Sequence, residues 1–130
     1  MKKYLACSAV VALAVLGIAA PTSAHHAVNA QFDVSQEIKV TGTLVKLEHI
    51  NPHSYWTFML INPTTGKAEE WSFGGGAPAL LRRAGLKVKE DIKIGDKYVF
   101  AYNPSRNGSN TGFLRVLWIG EKRIGISGNG

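Results

Sequence analysis

Cysteine is almost missing from this chain of 130 residues, and the only one is Cys7. The rest of the chain therefore has no disulfide, no thiolate nucleophile and no cysteine metal site, and its stability rests on its core alone. Motifs for a nucleophile elbow, a zinc-protease helix or a pair of catalytic carboxylates are also lacking, so the expectation is a binding protein and not an enzyme. Long apolar runs are limited to Leu5–Ala20. About sixteen residues is short of the roughly 20 that a membrane helix needs. With Lys2 and Lys3 before the run and Thr22-Ser23-Ala24 after it, residues 1–24 read as a cleaved export signal. The expected mature chain begins at His25, is periplasmic or secreted, and has no stable membrane anchor. Cys7 precedes most of the apolar run, whereas a lipid-attachment cysteine would follow it.

Acidic residues are few, 9 Asp and Glu against 15 Lys and Arg. Without residues 1–24 the chain has 106 residues and loses two of those lysines, leaving 13 basic side chains and a net charge of +4 with neutral histidines. An excess that small on an exported protein argues against nucleic acid as a partner.

Residues 25–36 are polar and patternless apart from Phe32, and are expected to form an N-terminal arm. Regular structure is expected from Ile38. Ile38, Val40 and Leu44 alternate with polar residues, and the apolar parity then switches at Val45 and Leu47, which predicts a strand with a bulge near Gly42. Pro52 cannot donate to a ladder, so 49–52 reads as a turn. A second strand is expected over His53–Ile61 and a third over Ala68–Phe73, joined by a hairpin loop at Asn62 to Gly66. Ala77 to Gly85 has a proline in its first turn, arginines in its last and a terminal glycine, the requirements of a short helix. Strands over Lys97–Tyr102 and Phe113–Ile119 complete the pattern. This element order is that of an all-β fold, a five-stranded OB-like Greek-key barrel with one short helix between strands three and four. The barrel is expected over residues 37–126, followed by a frayed tail, 127–130.

All four histidines, His25, His26, His49 and His53, lie in the first half of the chain. Cleavage after Ala24 would leave His25 with a free amine beside its imidazole, two nitrogens able to chelate one metal ion at neutral pH. Nitrogen ligands favour Cu(II), the top of the divalent affinity order. His26 and His53 are the expected further ligands, His53 because Pro52 stiffens its approach. The competing reading leaves His25 and His26 as a solvated stub and His53 as a turn residue. His49 shares a face with Val45 and Leu47 and is expected to pack at the barrel rim.

The alternative to copper is a barrel face that takes a small anionic or carbohydrate ligand, or an envelope protein partner, without metal. Tyr55, Trp71 and Arg82 are the candidate contacts for it. Basic residues from Arg82 to Lys97 surround the expected helix and are expected to form its solvated exterior. Gly74-Gly75-Gly76 before the helix lacks the longer phosphate-loop pattern and reads as a strand-to-helix turn.

Ala24-His25-His26, Phe32-Asp33, Thr41-Gly42-Thr43-Leu44 and Asn51-Pro52-His53 together resemble the signature of a family of small exported bacterial proteins classed only as a domain of unknown function. Glu70-Trp71-Ser72-Phe73, Leu81-Arg82-Arg83-Ala84-Gly85, Ile94-Gly95-Asp96 and Asn103 to Ser109 resemble its later blocks. The resemblance covers nearly the whole mature chain and implies a periplasmic, barrel-like domain with no established activity. Two positions depart from the pattern. Ala27 stands where a serine often follows the His pair, and Gly74 stands where the family often has an acidic residue.

Overall fold

The computed structural model describes residues 22–50, 52–62 and 64–127, with side chains from Ala27 onward. In chain order the elements are α1 (Thr22–Gln31), β1 (Ile38–Ile50), β2 (His53–Ile61), β3 (Ala68–Gly75), α2 (Pro78–Arg83), α3 (Val88–Asp91), β4 (Lys97–Pro104), β5 (Thr111–Ile119) and β6 (Lys122–Gly125). Most of the expected export signal lies outside the described residues, while 22–24 enter α1. Asn51, Pro63 and most of the expected tail also lie outside. Among the described residues, no helix is long and apolar enough to cross a membrane.

The strands close into a barrel because β1 serves two neighbours. Its first half pairs with β4, from Ile38↔Tyr102 to Thr43↔Lys97, and its second half with β2, from Thr43↔Met59 to Ile50↔His53. β2 pairs with β3, β4 with β5, and a parallel contact of β3 with β5 completes the ring. The bulge falls between Leu44 and Lys46, later than the expected Gly42. Val45 is thus the extra residue, at the parity switch itself. Gly42 serves the core instead. A Cβ there would lie 2.5 Å from Leu60 Cδ2 and 3.2 Å from Phe100 Cε1, so the missing side chain lets the strand press against the interior.

Inside, Trp56, Phe58, Phe73 and Phe100 are fully buried. The Phe58 and Phe100 rings stack at 4.2 Å, and Phe73 meets Phe100 edge-on at 5.0 Å. α2 supplies fully buried Leu81, and Leu86 follows it into the core. Gly85, at φ 83°, ends the helix. The Gly85 N–H donates to the Arg82 carbonyl and the Leu86 N–H to the Leu81 carbonyl, a Schellman closure whose apolar pair is Leu81 and Leu86.

Three elements exceed the expected set. α3 is a single turn. β6 pairs with the end of β5, Ile119↔Lys122 to Val116↔Gly125, across a two-residue turn that uses Gly120 at φ 60°. It carries one buried apolar side chain, Ile124, too few for an alternating signal. α1 replaces the patternless arm over residues 25–31. Its sequence has no amphipathic stripe, and its contacts with the barrel, made at its C-terminal end, stabilise it.

Candidate functional site

Strand alternation sorts the side chains of β2, β3 and β5 into an inner and an outer set. Trp56, Phe73 and Leu114 face the core, so Tyr55, Gly74 and Phe113 face out. They form one row across three strands, since Tyr55 is in register with Gly74 and Gly74 with Phe113. Thr57, Ser72 and Thr111 form the next row by the same pairings. Two residues before Tyr55 on the same face stands His53. Arg115 lies beyond Phe113, with its guanidinium carbon 6.0 Å from the Phe113 ring centroid.

From Ser72 to Gly76 the middle of this face carries small residues or none, while the residues beside them on both flanking strands are larger. A trough follows, with Ser72, Gly74 and Gly76 along its floor. α1 runs over it and contributes Ala27, Val28, Asn29 and Gln31 to a half-open cleft of about 750 Å³. His53 and Arg115 line the cleft, and no carboxylate among the described residues does.

The helix is tied down at its C-terminal end. Phe32 stacks on Phe113 with centroids 5.8 Å apart and bridges to Ser105. Arg106 Nε donates to the Asn29 carbonyl at 2.9 Å, and the Arg106 N–H to the Gln31 carbonyl at 3.0 Å. These are last-turn carbonyls of α1, which a cation satisfies well. Beyond them, the Asp33 N–H donates to the Pro104 carbonyl and Asn103 Nδ2 to the Gln36 carbonyl. Hydrogen bonds from the Ser35 hydroxyl and N–H and from Gln36 Nε2 hold the Asp33 carboxyl below its ordinary value of 3.8. Arg106→Ala is expected to remove one solvent-exposed hydrogen bond, at a cost of about 0.5–1.5 kcal/mol. Amide exchange in α1 should quicken while that in the barrel strands stays unchanged. Equal protection of α1 in both proteins would show that the Phe32 stack and the backbone bonds of Arg106 and Asp33 hold the helix without the guanidinium.

At the floor, Ser54 is completely buried. Its hydroxyl donates to the Gly76 carbonyl at 2.8 Å and accepts from Trp56 Nε1 at 2.9 Å. One side chain thus couples the barrel interior to the end of the trough.

The backbones of His25 and His26 lie in α1, and their side chains lie outside the described residues. His53 is exposed and lines the cleft beneath that helix. Among the described residues, no three His, Cys, Asp or Glu side chains come together. His49 is exposed and does not line the cleft, so the expected rim packing falls to Leu47, which does meet the core.

The alternative contacts do not converge. Tyr55 lines the cleft, but Arg82 stands exposed on α2 and Trp71 belongs to the inner face. Trp71 is in register with the core residue Phe58, lies 6.1 Å from Tyr102, and keeps a buried Nε1 with no hydrogen-bond partner among the described residues. Burial pushes the neighbouring Tyr102 phenol up. Sequence reasoning missed Phe113, Arg115 and α1 as walls of the cleft. The glycine triplet was the available sign of a floor, but its neighbour β5 is supplied by the long-range β3–β5 pairing.

The fold and cleft define a small closed β-barrel with a helix-covered trough on its outer face. The chain belongs to a family of unknown function, DUF6152, which is matched over residues 12–115. No curated protein and no solved structure matches it.

Proposed function

We propose that this is an exported binding protein, not an enzyme, that holds a transition metal, first of all Cu(II), at the α1 side of the trough. One observation carries the reading. α1, whose backbone includes His25 and His26, covers the cleft that His53 lines from the sheet. Export and cleavage after Ala24 would turn His25 into the first residue of what is left of that helix, with a free amine beside its imidazole. Amine and imidazole chelate the ion, and His26 and His53 supply further nitrogens. A cleft without carboxylates among the described residues suits a nitrogen-only donor set, the set that favours Cu(II) over harder divalent ions. His53 opens β2, where the ladder fixes its backbone and Pro52 restricts the residue before it.

The test is a Cu(II) titration, by calorimetry with electron paramagnetic resonance, of three proteins: the chain starting at His25, the same chain with a preceding Met, and His53→Ala. The expected result is stoichiometric binding with nitrogen hyperfine structure by the first. The other two should bind at least about tenfold more weakly, the equivalent of about 1.4 kcal/mol. Equal, weak binding by all three overturns the proposal.

A further inference from the structure

We infer that the trough along β3 is a slot for a six-membered ring bearing an acidic group, and that it binds such a ligand without metal. The slot is centred on Gly74. Its registered neighbours on either side are aromatic, Tyr55 on β2 and Phe113 on β5. Adjacent strands are roughly 4.8 Å apart, which sets the two aromatic Cα atoms about 10 Å from each other. A ring standing between two others needs about 3.5–4 Å of contact distance on each side. The spacing leaves that room only because residue 74 has no side chain. A Cβ built on Gly74 meets nothing within 4 Å, so the space above the floor is open.

The two ends of the slot differ. At one end stand His53 and Arg115, and the described residues that line the cleft include no carboxylate. At the other end Ser72 and Thr111 present hydroxyls, Thr111 Oγ1 lying 2.9 Å from Ser109 Oγ. Ala27 and Val28 of α1 overhang the slot with apolar surface. A ligand that satisfies all of these has a ring body for Tyr55 and Phe113, a negative group for the basic end, and a polar edge for the hydroxyls. Phe113 is a firm wall because Phe32 stacks on it at 5.8 Å. Acidic sugars and aromatic carboxylates share this chemistry, and the experiment tells them apart.

The probes are glucuronate and 4-hydroxybenzoate, with glucose as the uncharged control. Each is titrated into the isotopically labelled chain starting at residue 25, with chelator present, and followed by amide chemical shifts. The chelator separates this test from that of the copper site, since no bound metal contributes. The expected result is saturable shifts centred on Tyr55, Gly74 and Phe113 with at least one acidic probe, and at least tenfold weaker binding of glucose. Response to glucuronate alone assigns the slot to acidic saccharides, and response to 4-hydroxybenzoate alone to aromatic acids. Gly74→Leu fills the slot in open space, and should weaken binding at least tenfold while leaving the melting temperature unchanged. Tyr55→Ala, on an exposed side chain, removes one wall and should do the same. The inference is overturned if neither acidic probe shifts these residues, or if both variants bind as tightly as the parent.

Discussion

Gly76→Ala is expected to destabilise the protein by more than about 3 kcal/mol, whereas Gly74→Ala, two residues away, should be nearly neutral. A Cβ on Gly76 would overlap the Ile126 carbonyl oxygen and lie 2.8 Å from Leu80 Cδ2. The first obstacle is backbone, and that backbone is itself fixed, since the Ile126 N–H donates to the Arg115 carbonyl at 2.8 Å. No rotamer change relieves such a clash, so the cost belongs at or beyond the upper end of the 1–3 kcal/mol usual for overpacking. Any shift of Gly76 also strains the Ser54 hydrogen bond to its carbonyl. Gly75 is intermediate, because its Cβ would meet Ser54 Oγ at 2.8 Å and Trp56 Nε1 at 3.0 Å, both side-chain atoms. Thermal melts of the three alanine variants check the order. At about 4–8 °C per kcal/mol for a domain of this size, Gly76→Ala should melt at least about 12 °C lower. Equal melting temperatures for Gly74→Ala and Gly76→Ala would mean that the C-terminal segment does not seat against the turn.

Much of this architecture was legible because local chemistry punctuates it. Alternation marks β1, the parity switch near Val45 marks the bulge, the turn at Pro52 and the hairpin loop at Asn62 to Gly66 bound β2 and β3, and Pro78 with Gly85 brackets α2. What was not legible depends on partners far along the chain. α1 has no apolar stripe of its own, and it stands where Arg106 satisfies its last carbonyls and Phe113 stacks on the Phe32 ring that follows it. β6 has too few residues to show a period. The bulge was expected at a glycine, but Gly42 answers to the core side chains Leu60 and Phe100 instead.

The site is less legible in the sequence than the fold, for a related reason. His53 and Tyr55, both candidates from the sequence, line the cleft on adjacent outward positions of one strand. Trp71 has the chemistry of a ligand contact, but its parity with Phe73 places it among inward residues. Arg82 has the charge of a ligand contact, and charge alone does not say which face a helix turns to a ligand. Phe113 and Arg115 reach the cleft only through the parallel β3–β5 contact, a pairing between segments some forty residues apart in sequence, for which no local rule exists. A groove made by the absence of side chains on its central strand is visible only once the flanking strands are known.

Phe58→Ala should cost about 3–5 kcal/mol, as large aromatic truncations in a closed core do. Phe58 is fully buried, stacks on Phe100 at 4.2 Å, meets Phe73 at 6.0 Å, and lies 6.5 Å from Trp56. Its removal leaves three rings facing a void that barrel closure prevents from collapsing. The loss would take a large share of the 5–15 kcal/mol typical of whole domains. No disulfide offsets it, because the chain has no cysteine beyond Cys7. Tyr55→Ala is the matched control, three residues earlier on the same strand but on the outer face and 39% exposed. Urea unfolding followed by tryptophan fluorescence should show Phe58→Ala at a far lower midpoint than Tyr55→Ala. Similar midpoints would contradict the division of β2 into a core face and a ligand face. That division is what allows the outer face to keep a glycine floor and an open trough: the barrel is held from within, so no side chain is needed outside at residue 74 to hold it.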